Sequence, residues 1–444
     1  MTYREAVTYL ESLIDYERTP AGAAAARVWN LDRMRLMLSH FGDPHLSLRC
    51  LHIAGTKGKG STAAMAASIL SASGRRTGLY TSPHLVSFRE RISIDGKLIP
   101  QSEVVALAEQ IEPVIESVRR SDTGPPSFFE AYTLMAFLYF TRQQVDVAVL
   151  EVGLGGRLDA TNVATPLTCG LTRIGLDHTQ ELGDTLAQIA WEKAGIIKPG
   201  VSVVSAPQPP EVLDVFQDVC LERGAQLIVV GGESGLTASV TQADHVHQVM
   251  TIRGRRGTYA DLECPLLGPH QAENAAVAVG MVELLARHGI EIGEEAIRAG
   301  VKSVRWPGRF QIVGRSPYVI LDGAHDDVGA AALAAALESL FPGSRIILVL
   351  GIHKDKQAEE IIAPLAPLVD RVIVTASGSP RALDARELQR AVFRHCRHTA
   401  AYTPVSLAVR EALDQAGRED VVVITGSLYV VGEAMRALGL GEAE

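Results

Sequence analysis

The sequence predicts an α/β protein of two units in tandem, each a largely parallel sheet flanked by helices. Three observations carry that reading. Short apolar strands alternate with amphipathic helices along most of the chain. The strand over 145–152 is apolar enough to be buried on both faces. The alternation restarts after an interruption at Trp306-Pro307-Gly308. A length of 444 residues fits two or three domains at about 150 residues each. At 47% hydrophobic and 21% charged, the chain is not disordered, collagenous or coiled-coil. It has no fixed-period repeat and no low-complexity tract beyond the short alanine stretch 21–26.

In order, a strand over 51–54 leads into a glycine-rich turn and an alanine-rich helix over 62–73, which Gly74 stops. The central strand 145–152 follows. A further strand near 167–172 passes through a polar loop to a helix over 185–194. From about 236 to 262 the text becomes Thr, Val, Gly and charge, the pattern of antiparallel hairpins. A helix over 271–288 completes the first unit, and the boundary falls near 302–308. Beyond it come strand 319–321, helix 328–340, strand 345–350, helix 358–368, strand 371–375, helix 384–394 and strand 421–424. These make a second, smaller doubly wound unit. Two such domains on a short linker suggest a site in the cleft between them.

Lys plus Arg number 42 against 51 Asp plus Glu, a net charge of −9. That argues against nucleic acid or an anionic membrane as the main partner. No apolar run approaches the roughly 20 residues needed to span a bilayer, and the N-terminus lacks an export pattern. Five scattered cysteines without a Cys-x-x-Cys fit neither a disulfide framework nor a cysteine-rich zinc site. The expectation is a cytoplasmic protein.

The strongest local motif is Gly55-Thr56-Lys57-Gly58-Lys59-Gly60-Ser61, set between a strand and a helix. Its glycines let backbone N–H groups wrap a phosphate at a helix N-terminus, and Lys59 would reach the terminal phosphates. The spacing departs from G-x-x-x-x-G-K-[ST], because only two residues separate the first glycines and Gly60 follows the lysine. Glu151 ends a buried strand at the carboxyl edge of the sheet, a natural Mg²⁺ ligand or else a loop cap. The following Gly153-Leu154-Gly155-Gly156 run has Leu158 where a dinucleotide fingerprint needs glycine. Taken alone, His178 reads as a hydrogen-bonded loop histidine and Lys193 as a salt-bridged surface lysine. Asp322-Gly323-Ala324-His325 closes a strand in the second domain, as a site or a simple turn. Asn274 fits a helix start equally well. No Ser-His-Asp or Cys-His arrangement emerges from spacing.

Together these segments resemble the folylpolyglutamate synthase and dihydrofolate synthase family, within the Mur-type ATP-dependent amide ligases. The resemblance spans most of the chain. It rests on Leu31-Asp32-Arg33-Met34, the Gly55–Ser61 loop, Tyr80-Thr81-Ser82-Pro83-His84-Leu85, Arg89-Glu90-Arg91-Ile92 and Phe128-Phe129-Glu130. It continues through the run from Glu151 to Asn162, Glu192-Lys193-Ala194-Gly195-Ile196, Trp306-Pro307-Gly308-Arg309, Asp322-Gly323-Ala324-His325 and Thr425-Gly426-Ser427-Leu428-Tyr429. The resemblance implies an N-terminal P-loop-type, mostly parallel sheet domain with a small antiparallel extension over 1–303. It implies a smaller C-terminal Rossmann-like domain over 304–444. It also implies ATP at Gly55, Thr56, Lys57, Gly58, Lys59, Gly60 and Ser61, with Asn274, Arg309 and Asp322 as further nucleotide contacts.

By the same resemblance, Ser82 and Glu151 match the ligands of one Mg²⁺, and Glu151 and His178 those of a second. Lys193 matches a lysine carbamylated in this family, and His325 a residue close to the acyl phosphate and incoming amino acid. The implied reaction joins L-glutamate to dihydropteroate, to reduced folates, or to both. A monomer is the family expectation. Two departures stand out: Asp326 where the family usually has Asn, and Lys354-Asp355-Lys356-Gln357 where an acid-lysine-acid cluster is common. Two other readings remain open, a cell-wall Mur ligase acting on a nucleotide-linked peptide and an ATP-switched binding protein. The Thr81–Leu85 and Trp306–Arg309 segments favour folate over the first, and paired metal and lysine positions speak against the second.

Overall fold

The computed structural model describes residues 1–15 and 30–441, so the alanine stretch 21–26 lies outside the described residues. Three sheets organise it. The first contains β1 (Cys50–Ala54), β2 (Thr77–Tyr80), β3 (Ile92–Ile94), β4 (Lys97–Leu98), β5 (Val147–Glu151), β6 (Thr168–Leu171), β7 (Ser202–Ser205) and β8 (Leu227–Val229). Their order is β4-β3-β2-β5-β1-β6-β7-β8. The run from β2 to β8 is parallel and only the β2-β3-β4 edge is antiparallel. β1 and β5 are buried along their whole length, as their unbroken apolar text requires.

The helix Lys59–Ala72 has buried residues on every side, which its alanine-rich sequence permits. It packs on the first sheet beside the helix His270–Leu284, which covers β6 and β7, and the helix Glu294–Ser303 lies against it. β9 (Thr237–Ala243), β10 (Gln248–Arg253) and β11 (Thr258–Cys264) form the expected antiparallel extension on that core. The opposite face is covered by the helices Gln101–Val118 and Phe128–Arg142, whose aromatic residues fill a second core.

The last sheet comprises β12 (Gln311–Arg315), β13 (Tyr318–Leu321), β14 (Ile346–Leu350), β15 (Arg371–Val374), β16 (Thr399–Ala401) and β17 (Val421–Thr425), ordered β12-β13-β17-β14-β15-β16. All neighbours are parallel except β12 with β13. Separate apolar cores cover its two faces, as a doubly wound unit demands. The helix expected over 358–368 is shorter: Ala358–Ile362 is α-helical and Ala366–Leu368 is a separate 3₁₀ turn. Pro364 and Pro367 lack the N–H that would have continued the helical ladder. The helix expected over 271–288 likewise tightens to 3₁₀ over Leu285–His288.

Helix Glu294–Ser303 meets Lys59–Ala72 at Gly300, where an added methyl would run into the backbone of Ile69. There the Ser68 hydroxyl donates to the Gly300 carbonyl at 2.7 Å. Gly300→Ala should therefore lower unfolding free energy by about 1–3 kcal/mol, read from denaturant midpoints. An unchanged midpoint would mean that this contact is not tight.

Candidate active site

The carboxyl ends of β1, β5 and β6 open onto one crevice, where the connection from β1 runs to β2 on one side and that from β5 runs to β6 on the other. After β1 the chain forms the glycine loop. The N–H groups of Thr56 and Lys57 donate to the Arg173 carbonyl at 3.0 and 3.1 Å, tying the loop to the segment after β6. Gly58 has φ 89° and ends the loop as the N-cap of Lys59–Ala72. A side chain there would strike Asn274, and one at Gly60 would strike the Trp306 ring. The first helical N–H groups have no partner within their own helix, so they form an anion seat. The Lys59 ammonium folds back toward the Thr56 carbonyl at 3.4 Å, and burial lowers its pKa.

Glu151, the last residue of β5, is 4% exposed. Among the described residues its hydrogen-bond donor is the Ser82 N–H at 3.2 Å, which leaves most of the carboxylate's capacity unused. Burial pushes its pKa up to about 7 despite the opposing Lys59 charge. An under-satisfied carboxylate suits Mg²⁺, and Ser82 and His178 line the same cleft, although an imidazole is a softer ligand than the oxygens Mg²⁺ prefers. His178, at φ 51°, occupies the N-cap position of the short helix Thr179–Leu182, with its side chain exposed at the rim of the cleft.

Lys193, near the end of the helix Leu186–Ala194, is buried, contrary to the surface lysine its lone position suggests. Burial, reinforced by the Lys59 charge, pushes its ammonium down to about 7. Asp159 holds the loop after β5 by accepting from the N–H groups of Gly153 and Leu154, each at 3.0 Å.

The second unit presents the carboxyl ends of β13, β14 and β17. Asp322 accepts from the N–H groups of Phe310 and Ala324, both at 2.8 Å, so each oxygen is engaged in stapling the linker to β13. Arg309 packs over Gly323. His325 Nδ1 is 2.8 Å from the Gly323 carbonyl, so Nδ1 carries the proton and Nε2 is left as an acceptor. Burial and the Lys57 charge hold this imidazole low, at about 4.

Lys57 lies where the units meet. Its ammonium reaches Asp177 at 3.2 Å, His325 Nε2 at 3.3 Å, and pairs with Asp326. Burial opposes its charge, but the two carboxylates keep its pKa above the ordinary lysine value. Lys356 pairs with Asp177 on the other side at 3.0 Å.

A cleft of about 550 Å³ joins these groups. Thr56, Lys57, Gly58, Lys59, Gly60, Ser61, Ser82, Glu151, His178, Asn274, Arg309, Asp322 and His325 all line it. Gly55 and Lys193 sit beneath the lining. Asn274 stands inside the first turn of its helix, hydrogen-bonded to Gln271 at 3.0 Å, with Pro269 at the cap. Phe129, Leu154, Leu158 and Ala160 add apolar surface to the first unit's side of the cleft. The sequence showed Asp177 only beside His178 and Lys356 only within the departing Lys354-Asp355-Lys356-Gln357 segment, and gave neither a role.

Because Glu151 titrates near 7 when folded and at 4.5 ordinarily, the folded protein retains a proton that the unfolded chain releases in between. Its contribution to stability therefore falls as pH rises from 4.5 through 7. Glu151→Gln should stabilise the nucleotide-free, metal-free protein by roughly 3 kcal/mol at pH 8, with the gain shrinking toward pH 5. Chemical denaturation at both pH values checks this, and equal gains would contradict the buried charge.

The sequence matches the Mur ligase middle domain over residues 53–282 and the Mur ligase glutamate ligase domain over 308–428. It is 35% identical to a dihydrofolate synthase/folylpolyglutamate synthase of Bacillus subtilis, over 92% of this chain and 94% of that protein. The fold superposes on a Mycobacterium tuberculosis folylpolyglutamate synthase complexed with ADP at a TM-score of 0.89, with 35% identity and 99% of both chains covered. It is also similar to Escherichia coli FolC in complex with DHPP and ADP, at a TM-score of 0.85 and 34% identity, over 99% of this chain and 98% of that one. A phosphate-binding loop facing a second doubly wound unit across a shared cleft, matched along nearly the whole chain, places this protein in the Mur ligase family, among the dihydrofolate synthases and folylpolyglutamate synthases.

Proposed function

We propose that this protein ligates L-glutamate to dihydropteroate, to the γ-carboxylate of reduced folyl(poly)glutamates, or to both, using ATP and releasing ADP and phosphate. The observation that carries the reading is the shared cleft. The glycine loop with Ser82, Glu151 and His178 lines it from the first unit, His325 from the second, and Phe129, Leu154, Leu158 and Ala160 give it apolar surface.

The chemistry follows from the reactants. The acceptor carboxylate oxygen attacks the γ-phosphorus and displaces ADP, leaving an acyl phosphate. The glutamate amine then attacks the acyl carbon, the tetrahedral intermediate expels phosphate, and the nitrogen loses a proton. In this reading the N–H groups from Gly58 to Ser61 and the Lys59 ammonium hold the phosphates and meet charge growing on their oxygens. Ser82, Glu151 and His178 would hold Mg²⁺ in two sites, which when bound neutralises phosphate charge. Asn274 and Arg309 border the nucleotide, with Asp322 fixing the linker that carries Arg309. The apolar lining at Phe129 and Leu154 suits a pterin ring, and closure of the units would keep water from the acyl phosphate.

Lys193 is the candidate for carbamylation, since a buried amine titrating near 7 is largely neutral at pH 8 and can add CO₂, releasing a proton. The resulting anion would offset Lys59 beside it. Incubation with ¹³C-bicarbonate should give a carbamate carbon resonance in the wild type that Lys193→Gln lacks. Identical spectra would remove this role.

ADP release with Mg-ATP and L-glutamate tests the main reading, with dihydropteroate, tetrahydrofolate or a UDP-MurNAc peptide as acceptor. Glutamate-dependent release with either pterin is expected, while release only with the UDP-sugar, or without glutamate, would overturn it. Lys59→Ala should lower turnover by about 10²–10³-fold in a fold that still gives the wild-type circular dichroism.

A further inference from the structure

A chain of alternating charges crosses the cleft: Lys356, Asp177, Lys57, Asp326. Its members come from four different loops. Lys57 sits within the phosphate loop and Asp177 follows β6, while Asp326 starts the helix Asp327–Leu340 and Lys356 follows β14. All four are largely enclosed, with side-chain exposures from 11% to 26%. The acceptor atoms of Asp177, His325 and Asp326 lie within 4.8 Å of one another, and the Lys57 ammonium is the cation they surround.

We infer that Lys57 and Asp326 form a cross-cleft latch, positioning residues that hold the two units together and couple the phosphate loop to His325. The two oxygens of Asp326 have separate tasks. Oδ1 caps the helix by accepting from the Gly329 N–H at 2.8 Å, while Oδ2 pairs with Lys57. The Lys57 backbone is meanwhile bound to Arg173, so a pull on its side chain is a pull on the phosphate loop. His325 is adjacent to Asp326 and accepts from the same ammonium, so its ring orientation depends on the latch as well. Partly buried ion pairs are screened less by solvent than exposed ones; losing Lys57 leaves Asp326 without its cation, whereas losing Asp326 leaves Lys57 held by Asp177 alone, on its own side of the cleft.

Asp326→Asn is the discriminating variant, because Asn caps a helix as well as Asp does and only the charge is lost. Lys57→Gln removes the other partner. Closure is read by energy transfer between dyes on Leu221→Cys in the first unit and Glu387→Cys in the second. Every native cysteine is buried, which favours selective labelling. Both single variants should lower transfer efficiency, and the double variant should lower it no further than the worse single one. That non-additivity marks a direct interaction.

In the kinetic arm, which rests on the ligase reading, Asp326→Asn should lower kcat by about tenfold while its Kd for Mg-ATP stays within about twofold of wild type. Unchanged transfer in Asp326→Asn, or additive losses in the double variant, would overturn the latch. Absence of glutamate ligation by the wild type would count against the ligase reading alone, leaving the energy-transfer result to decide the latch.

Discussion

Cations crowded together out of water govern this cleft. Lys57, Lys59 and Lys193 share one enclosed space with Glu151 and Asp177, and burial works against every one of those charges. Where a lysine has carboxylates in contact, as Lys57 does, it stays charged. Where it has none, as with Lys193, it drifts toward neutrality. The cleft is thus electrostatically unbalanced in a specific sense. It gathers three lysines around the glycine loop, and it holds a carboxylate at Glu151 short of hydrogen-bond partners. A polyanion carrying its own divalent cation corrects both deficits together, which is what Mg-ATP is.

The two units solve the same problem with the same geometry. Each places its chemistry just past the carboxyl ends of parallel strands, where helices begin and side chains are free of the ladder. Asp322 is the clearest case of a residue whose contribution is made through backbone. By accepting from Phe310 and Ala324 it ties the start of the second unit to the turn that presents His325. Asp159 performs the equivalent task in the loop after β5. Such carboxylates leave little capacity for a ligand, but the residues they fix are the ones that face it.

Much of this was legible in the sequence because it is local. The glycine loop, Glu151 at a strand end and the hairpins after 236 are each written in a few adjacent residues, and so is the break at Trp306-Pro307-Gly308. What stayed hidden is non-local. Nothing in the text joins Lys57 to Asp326, 269 positions later, and Lys193 gives no local sign that it is buried. The edge strands β12 and β16 were also unread, since a short run such as Thr399-Ala400-Ala401 gains its strand character from β15 beside it. The shortened helix after 358 had a visible cause in two prolines, outweighed there by the apolar periodicity around them.

Trp306 gives the linker a second duty. Its ring packs against Gly60 at the start of the phosphate-loop helix, so the tether between the units is fastened to the very loop that the second unit covers. A hinge mounted this way cannot swing independently of the floor beneath it. Whatever shifts the loop shifts the tether as well. Insertions in that tether would therefore loosen more than reach: they would move the axis off the phosphates, and both halves of the cleft would close out of register.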